Sequence, residues 1–392
     1  MNAVQQQIKE FDSLMELLEE LDRKGIYGYQ RYKTVNRFVS MKARYRDVPV
    51  KGSFELTPLC NLDCKMCYVH LLPKQMGANE RLRTIEEWKQ IIQQAADAGM
   101  IYASLTGGEC LTYPGFKEVY LYLYSLGIQP DILTNGRLLT EEMIAFFKQY
   151  PPAVIQVSLY GSNEDAYEAV TGHRAFQEVI DGIERVKEAR LNLVLAVTPN
   201  RYMQKDAAAL LDLVHSFNVP YVVGDTTLQA REETGRNLTE YRVELEAARK
   251  IKLLERDYAL NQKTIAQVSI PITYLPVQKK KLNGLPCGGA HSSFHVNWRG
   301  ELCPCIGYAP SVHCDVLKEG FAEAWKQIVQ RMHQYAPPAV CQSCDLRQVC
   351  MTCPAEKTYG VLNGELNHFV CERLRQYTID REAEQLDQCT LD

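Results

Sequence analysis

The chain has 392 residues, 46% of them apolar, with a formal net charge of −4 and 14 cysteines. A chain this long buries a large core without covalent staples, so cysteines grouped at short spacings read as metal ligands in a reducing, cytoplasmic setting and not as the disulfide frame of a small secreted domain. The mildly acidic balance sets up no field for nucleic acid, and residues 1–24 mix Gln, Glu, Asp and Leu at helical spacing, which speaks against a signal peptide and a membrane span. A helix is predicted over 4–23. Next comes a basic segment, Arg31, Lys33, Arg37, Lys42, Arg44, Arg46 and Lys51, read as a solvated face or a dock for an acidic peptide. Beyond it, β-rich apolar runs at 53–57, 101–106, 130–134, 154–160, 193–198 and 221–226 alternate with amphipathic helical runs at 84–98, 116–125, 141–149, 176–189 and 205–217. Thr84, Thr140 and Asp206 suit helix starts, and Gly99 and Gly127 suit stops. Six βα units fall two short of a closed eightfold barrel, so the expected fold class is α/β, a partial (β/α)6 barrel open on one side. A polar helix at 239–260 and a Pro-punctuated stretch at 271–286 lead into a cysteine-rich tail. The organisation expected is a helical segment at 1–50, a barrel at 51–235, a helical bridge at 236–285 and a cysteine-rich domain at 286–392.

After the first strand stands Cys60-Asn61-Leu62-Asp63-Cys64-Lys65-Met66-Cys67. Three thiols on one loop suit a four-iron cluster that keeps one iron free of protein ligands. Structural zinc wants a fourth protein ligand, and His70 follows Cys67 too closely for the usual finger spacing. The second strand ends in Thr106-Gly107-Gly108-Glu109, where two glycines let the backbone approach a ligand and a carboxylate or peptide carbonyl can accept from an ammonium group. In combination these motifs resemble the radical S-adenosylmethionine (SAM) superfamily, over residues 53 to about 227. The resemblance implies a [4Fe-4S] cluster on Cys60, Cys64 and Cys67 whose open iron chelates SAM, which is cleaved reductively to methionine and a 5'-deoxyadenosyl radical. It further implies Gly107, Gly108 and Glu109 at the SAM amino group, Asn135 and Ser158 at its ribose or carboxylate, Arg174 paired with the carboxylate, and Met66 packed on adenine. Each of the later positions has a plainer reading: a turn for Asn135-Gly136, a strand end for Ser158, a solvated helix start for Arg174. Where the family usually has proline after Gly-Gly-Glu, this chain has Cys110, either an inert core residue or a thiol facing the cavity and then the one candidate catalytic side chain.

The tail carries Cys287-x12-Gly300-x4-Cys305, then Cys341-x2-Cys344-x5-Cys350-x2-Cys353, then Cys371. This resembles the SPASM extension, which implies two auxiliary [4Fe-4S] clusters, the first on Cys287, Cys305 and Cys353 and the second on Cys341, Cys344, Cys350 and Cys371. The first has three clear ligands; Cys303, two residues before Cys305, would share a strand face with it and complete the set, or the fourth iron stays open. The Cys350-x2-Cys353 spacing is one residue shorter than usual in such extensions. A pair of zinc ribbons would also account for closely spaced thiols. Cys314 and Cys389 have no assigned partner.

Proteins of this kind commonly act on peptides, so the expected activity is oxidative modification of a ribosomally made precursor peptide, through a thioether or a carbon–carbon crosslink, with a reductant such as flavodoxin or ferredoxin. The first fifty residues are short for a winged-helix leader-binding domain, so a separate leader-peptide-binding protein, or docking near residues 31–51, is expected. Sulfatase maturation is disfavoured because Ile306 stands where maturases carry an Asp base. Modification of a porphyrin competes with the peptide reading, as does electron transfer by clusters that never cleave SAM. Gly107-Gly108-Glu109 argues against the electron carrier, which needs no SAM-binding strand end. No nucleic-acid or membrane partner is expected.

Overall fold

The computed structural model describes residues 13–19, 22–23, 29–224, 229–261, 284–309, 311–347, 350, 352–359, 361 and 363–376. The six expected strands form β1 (Lys51–Glu55), β2 (Tyr102–Thr106), β3 (Asp131–Thr134), β4 (Val154–Ser158), β5 (Leu193–Val197) and β6 (Tyr221–Val223), all parallel and side by side in chain order. Helices α1 (Tyr29–Ala43), α2 (Pro73–Asn79), α3 (Ile85–Asp97), α4 (Phe116–Ser125), α5 (Glu141–Gln149), α6 (Glu164–Thr171), α7 (Phe176–Glu188), α8 (Ala207–Ser216) and α9 (Leu245–Asn261) accompany them. Residues 262–283 of the expected bridge at 236–285, the end of the sixth strand at 225–226, residues 4–12 and 20–21 of the expected first helix and Cys389 lie outside the described residues.

Local chemistry sets the helix ends. The Thr84 side chain accepts from the Glu87 N–H while Glu87 accepts from the Thr84 N–H, a reciprocal cap for α3, and Thr140 caps α5 through the Met143 N–H. Gly99 and Gly127 take the positive φ, 112° and 76°, that ends α3 and α4. Asp206 behaves differently from its expected role: its carboxylate makes no cap for α8 but accepts from the Ser162 N–H at 2.7 Å and from the Ser162 hydroxyl, tying the exit of β4 to α8.

The basic segment is also corrected. Most of it forms α1, which crosses the amino ends of β2 and β3: the Tyr32 hydroxyl donates to Asp131 at 3.0 Å and its ring meets Tyr102 edge-on. Lys33 and Arg37 line a cavity with Lys51 and Asp131, and burial lowers the pKa of both, while the Arg31 side chain and Arg46 stay exposed.

The tail does not stand apart as the sequence boundary at 286 implies. Its strand β7 (Ser293–Val296) pairs in parallel with β1, Gly52 opposite Phe294, and β8 (Glu301–Cys303) and β9 (Cys314–Asp315) follow antiparallel, giving one nine-stranded sheet. Gly52 makes this possible, because a Cβ there would sit 2.6 Å from the Phe294 ring. Phe294 in turn meets Phe54, Phe321 and Trp325, the last two from α11 (Phe321–His333), which follows the short α10 (Val316–Glu319) and precedes α12 (Pro354–Lys357). No described helix is long and apolar enough to cross a membrane.

Candidate active site

In parallel β/α folds functional groups gather at the carboxyl ends of strands. The loop that leaves β1 turns back at once: Leu56 donates to Thr106 O at 3.0 Å, and Asp63 and Lys65 donate to Thr171 O and Val170 O at the end of α6. This carries Cys60, Cys64 and Cys67 to one cavity, shared with Met66, Gly107, Gly108, Asn135, Ser158 and Tyr160 at the carboxyl ends of β2 to β4. The N–H groups of Leu62 and His70 point at the Cys60 and Cys67 sulfurs, at 3.4 and 3.3 Å. Burial, with the charge of Glu109 nearby, pushes the Cys60 thiol up to about 12, and burial with repulsion from Cys67 and Cys60 pushes Cys64 up as well. Thiols held this way ionise only when a metal takes the proton's place. Three cysteine thiols on one loop, facing one cavity, are a donor set that fits a four-iron cluster with one iron free of protein ligands. His70, excluded as a ligand by spacing, sits against Asp63 at 3.2 Å.

The glycines of Thr106-Gly107-Gly108-Glu109 do more than line the cavity. A Cβ on Gly107, at φ +147°, would fall 2.4 Å from Thr57 O, and one on Gly108 would fall 2.4 Å from Leu59 O and 2.6 Å from Pro58 O. Gly108 and Glu109 donate their N–H groups to Thr57 O and Leu59 O at 2.8 and 2.9 Å, so this strand end is the floor on which the cysteine loop rests. Glu109 is 1% exposed and accepts from Asn135 N at 2.7 Å, Thr134 Oγ1 at 2.8 Å and Leu111 N at 3.1 Å. Burial raises its pKa against these bonds. Its carboxylate braces β2 to β3.

Two expected site residues are not brought to the cavity. Arg174 is 58% exposed and held by Asp165 and Glu168 at 3.0 and 2.8 Å on the solvent side of α6, because the turn after Gly172 faces outward. Cys110 is fully buried, its sulfur against Leu133 O at 3.4 Å, so it is a core residue and not a catalytic thiol. Asn135 is in the cavity wall, with its amide donating to Asn61 Oδ1 at 2.7 Å and reaching the Cys60 sulfur at 3.6 Å. Ser158 lines the cavity and hydrogen-bonds Tyr160.

Two guanidinium groups that spacing does not announce clamp the same loop. Arg137 donates to Asn61 O and is anchored by Glu178 at 2.8 Å. Arg236 donates to Cys64 O at 2.7 Å and pairs with Asp63, and its charge eases the ionisation of Cys64 and Cys67. The Arg236 contact closes 172 residues of chain, so only the fold reveals it.

Behind the loop a buried ion pair joins barrel and tail. Glu55 at the end of β1 accepts two bonds of 2.6 Å from Arg231, and His295 of β7 stands 3.4 Å from the same carboxylate. Burial alone would raise the Glu55 pKa, yet Arg231 and His295 hold it at about 2. Arg231 also donates its N–H to Tyr68 O, next to Cys67.

In the tail, Cys305 feels Cys353 and Cys287, and burial pushes it to about 12; Cys371 feels Cys341, Cys350 and Cys344. Cys303 is turned away from the first set. It is fully buried, its sulfur lies 3.5 Å from Glu301 O and 3.9 Å from Ala309 O, and its charged neighbours are Arg231, Glu301 and Glu55 before Cys305. The expected shared face requires extended chain from 303 to 305, but β8 ends at Cys303 and the chain bends at Pro304.

Residues 54–214 match the family model of the Radical SAM superfamily. The chain is 24% identical over 265 residues to the antilisterial bacteriocin subtilosin biosynthesis protein AlbA of Bacillus subtilis; the match takes in 66% of this chain but spans only about half of AlbA, 55% of its length. It is 24% identical over 320 residues to the AdoMet-dependent heme synthase of Methanosarcina barkeri, covering 77% of this chain and 90% of that one. Among solved structures, Streptococcus suis SuiB bound to its precursor peptide SuiA superposes with a TM-score of 0.62 at 16% identity, over 85% of this chain and 80% of that one.

Proposed function

The chain is a radical SAM enzyme with a cysteine-rich tail of SPASM type, and from that premise we propose that it oxidatively modifies a peptide, most simply a ribosomally made precursor, by forming a thioether or carbon–carbon crosslink. The observation that carries the reading is the convergence of Cys60, Cys64 and Cys67 on a cavity at the carboxyl ends of the strands, with two further thiol sets on the tail that pairs with β1. Cys60, Cys64 and Cys67 would hold the SAM-cleaving [4Fe-4S] cluster, with one iron left to SAM. When bound, these groups supply one electron to SAM and so a 5'-deoxyadenosyl radical that abstracts a hydrogen atom from substrate. Asn135, Arg137 and Arg236 keep the cysteine loop in place, and Met66 offers an apolar wall for adenine. The carbonyls at the end of β2 would accept from the amino group of SAM, and Ser158 would meet its ribose or carboxylate. In the tail, Cys287, Cys305 and Cys353 would hold one auxiliary cluster with an open position, and Cys341, Cys344, Cys350 and Cys371 a second with four ligands; so loaded, these residues would hold an acceptor for the electron released when a substrate radical is oxidised. A flavodoxin or ferredoxin would supply the first electron, and a separate leader-binding protein would present the peptide.

Support for a peptide comes from AlbA and from SuiB, whose names and bound SuiA point to peptide substrates. A second reading, action on an iron porphyrin, is favoured by length, because the alignment covers 90% of the heme synthase but 55% of AlbA. One experiment separates them. Reconstituted anaerobically, the protein is given SAM, dithionite and either any short peptide found to be encoded beside its gene or an iron porphyrin. The peptide should raise 5'-deoxyadenosine formation and lose about 2 Da; turnover of the porphyrin with an unchanged peptide overturns the peptide reading. Replacing Cys60, Cys64 and Cys67 together with Ala should abolish 5'-deoxyadenosine while about eight of about twelve irons remain. Undiminished SAM cleavage in that variant overturns the cluster assignment.

A further inference from the structure

Away from the cavity, three segments meet at a group that the radical chemistry does not use. Asp47 lies in the turn between α1 and β1, His291 in the loop before β7, and His333 at the end of α11. His291 Nδ1 is 2.6 Å from Asp47 Oδ1, and His333 Nε2 is 3.3 Å from Asp47 Oδ2. The Asp47 backbone is fixed by Trp325, whose indole N–H donates to Asp47 O at 2.7 Å.

Counting protons at His291 exposes an imbalance. The ring is 1% exposed, and its two nitrogens face two acceptors, Asp47 Oδ1 and, at 3.1 Å, Leu285 O. A neutral imidazole carries one proton and satisfies one of them. With Nε2–H donating to Leu285 O, the Nδ1 lone pair faces a carboxylate oxygen, and both are acceptors for a cation. His333 Nε2 turns to the same carboxylate, and its ring lies with its centroid 5.5 Å from that of His291 and its plane tilted by 30°. One divalent ion would serve both rings and the carboxylate. An imidazole that gives one nitrogen to a metal and donates the other N–H to a backbone carbonyl is also the usual arrangement of a metal-bound histidine. The three donor atoms lie within 4.8 Å of one another.

We propose that Asp47, His291 and His333 bind a divalent transition-metal ion of the zinc class, which pins the tail to the base of the barrel. Two imidazoles and one carboxylate suit zinc, with water in the fourth position on the side where Asp47 and His333 are about a third exposed. The ion has no part in SAM cleavage.

The test uses the anaerobically reconstituted holoprotein with its iron complement measured, exposed to excess Zn2+ and desalted. Wild type should retain about one zinc per chain, with X-ray absorption showing a nitrogen and oxygen shell near 2.0–2.1 Å. His333→Gln should retain at least tenfold less zinc at unchanged iron content. Retention by the variant equal to wild type, no zinc in wild type, or a sulfur shell near 2.3 Å, the sign of zinc in a vacated cluster site, each overturns the proposal. Zinc is read without SAM or substrate, so the result stands apart from that of the proposed function.

Discussion

Gly108 decides where the cysteine loop rests, since any side chain there meets the carbonyls of Pro58 and Leu59. Gly108→Ala must push that backbone outward, and Cys60 begins one residue further on. The expected outcome is loss of about four of about twelve irons, measured after reconstitution, and at least a tenfold fall in 5'-deoxyadenosine formation. Arg174→Ala is the contrast. With its guanidinium held by Asp165 and Glu168 in solvent, its removal should leave SAM cleavage within twofold of wild type and leave stability nearly unchanged. A larger loss of SAM cleavage would return Arg174 to the site. The Cys60, Cys64 and Cys67 motif was legible from spacing because its chemistry is local to one loop. The braces around it, Arg137 and Arg236, were not, because a lone arginine carries no sign of the carbonyl it will reach.

Between elements, the Glu55 and Arg231 pair locks β1 to the segment that follows β6, with His295 of β7 against the same carboxylate. Glu55→Gln would leave Arg231 buried with an uncharged partner, a loss of about 3–5 kcal/mol. The readout is a fall in Tm of roughly 4–6 °C at neutral pH for a chain of this length. The pH dependence follows from the sign of the shift. The Glu55 pKa is depressed from 4.5 to about 2, so its stabilising contribution is fully present above about 4.5 and lost as pH falls towards 2. The Tm gap between wild type and Glu55→Gln should therefore stay constant from pH 7 down to about 5 and narrow below it. A gap that does not depend on pH would mean that Gln disturbs packing and not charge.

For the whole molecule, barrel and tail share one sheet. A chain ending at residue 283 would expose the β1 edge and the apolar surface of Phe54 and Gly52 that Phe294 covers. An unpaired, apolar strand edge associates with others like it, so the truncated barrel should aggregate on expression while the full chain stays in solution. Recovery of a monodisperse, iron-binding fragment would show that β1 does not need its tail partner.

Strand and helix periods, the helix caps at Thr84 and Thr140 and the cysteine loop after the first strand could all be read from the chain, because each is set by a repeat, a cap or a spacing within a few residues. What only the tertiary structure decided rests on long-range pairing. It packed α1 across the barrel base, committed the Glu109 carboxylate to β3 and turned Cys303 towards Arg231. It set Arg174 in solvent and brought Asp47, His291 and His333 together across 244 and 42 residues of chain. The physical reason is that side-chain direction at such points is chosen by the element packed opposite, and the identity of that element is a property of the folded sheet.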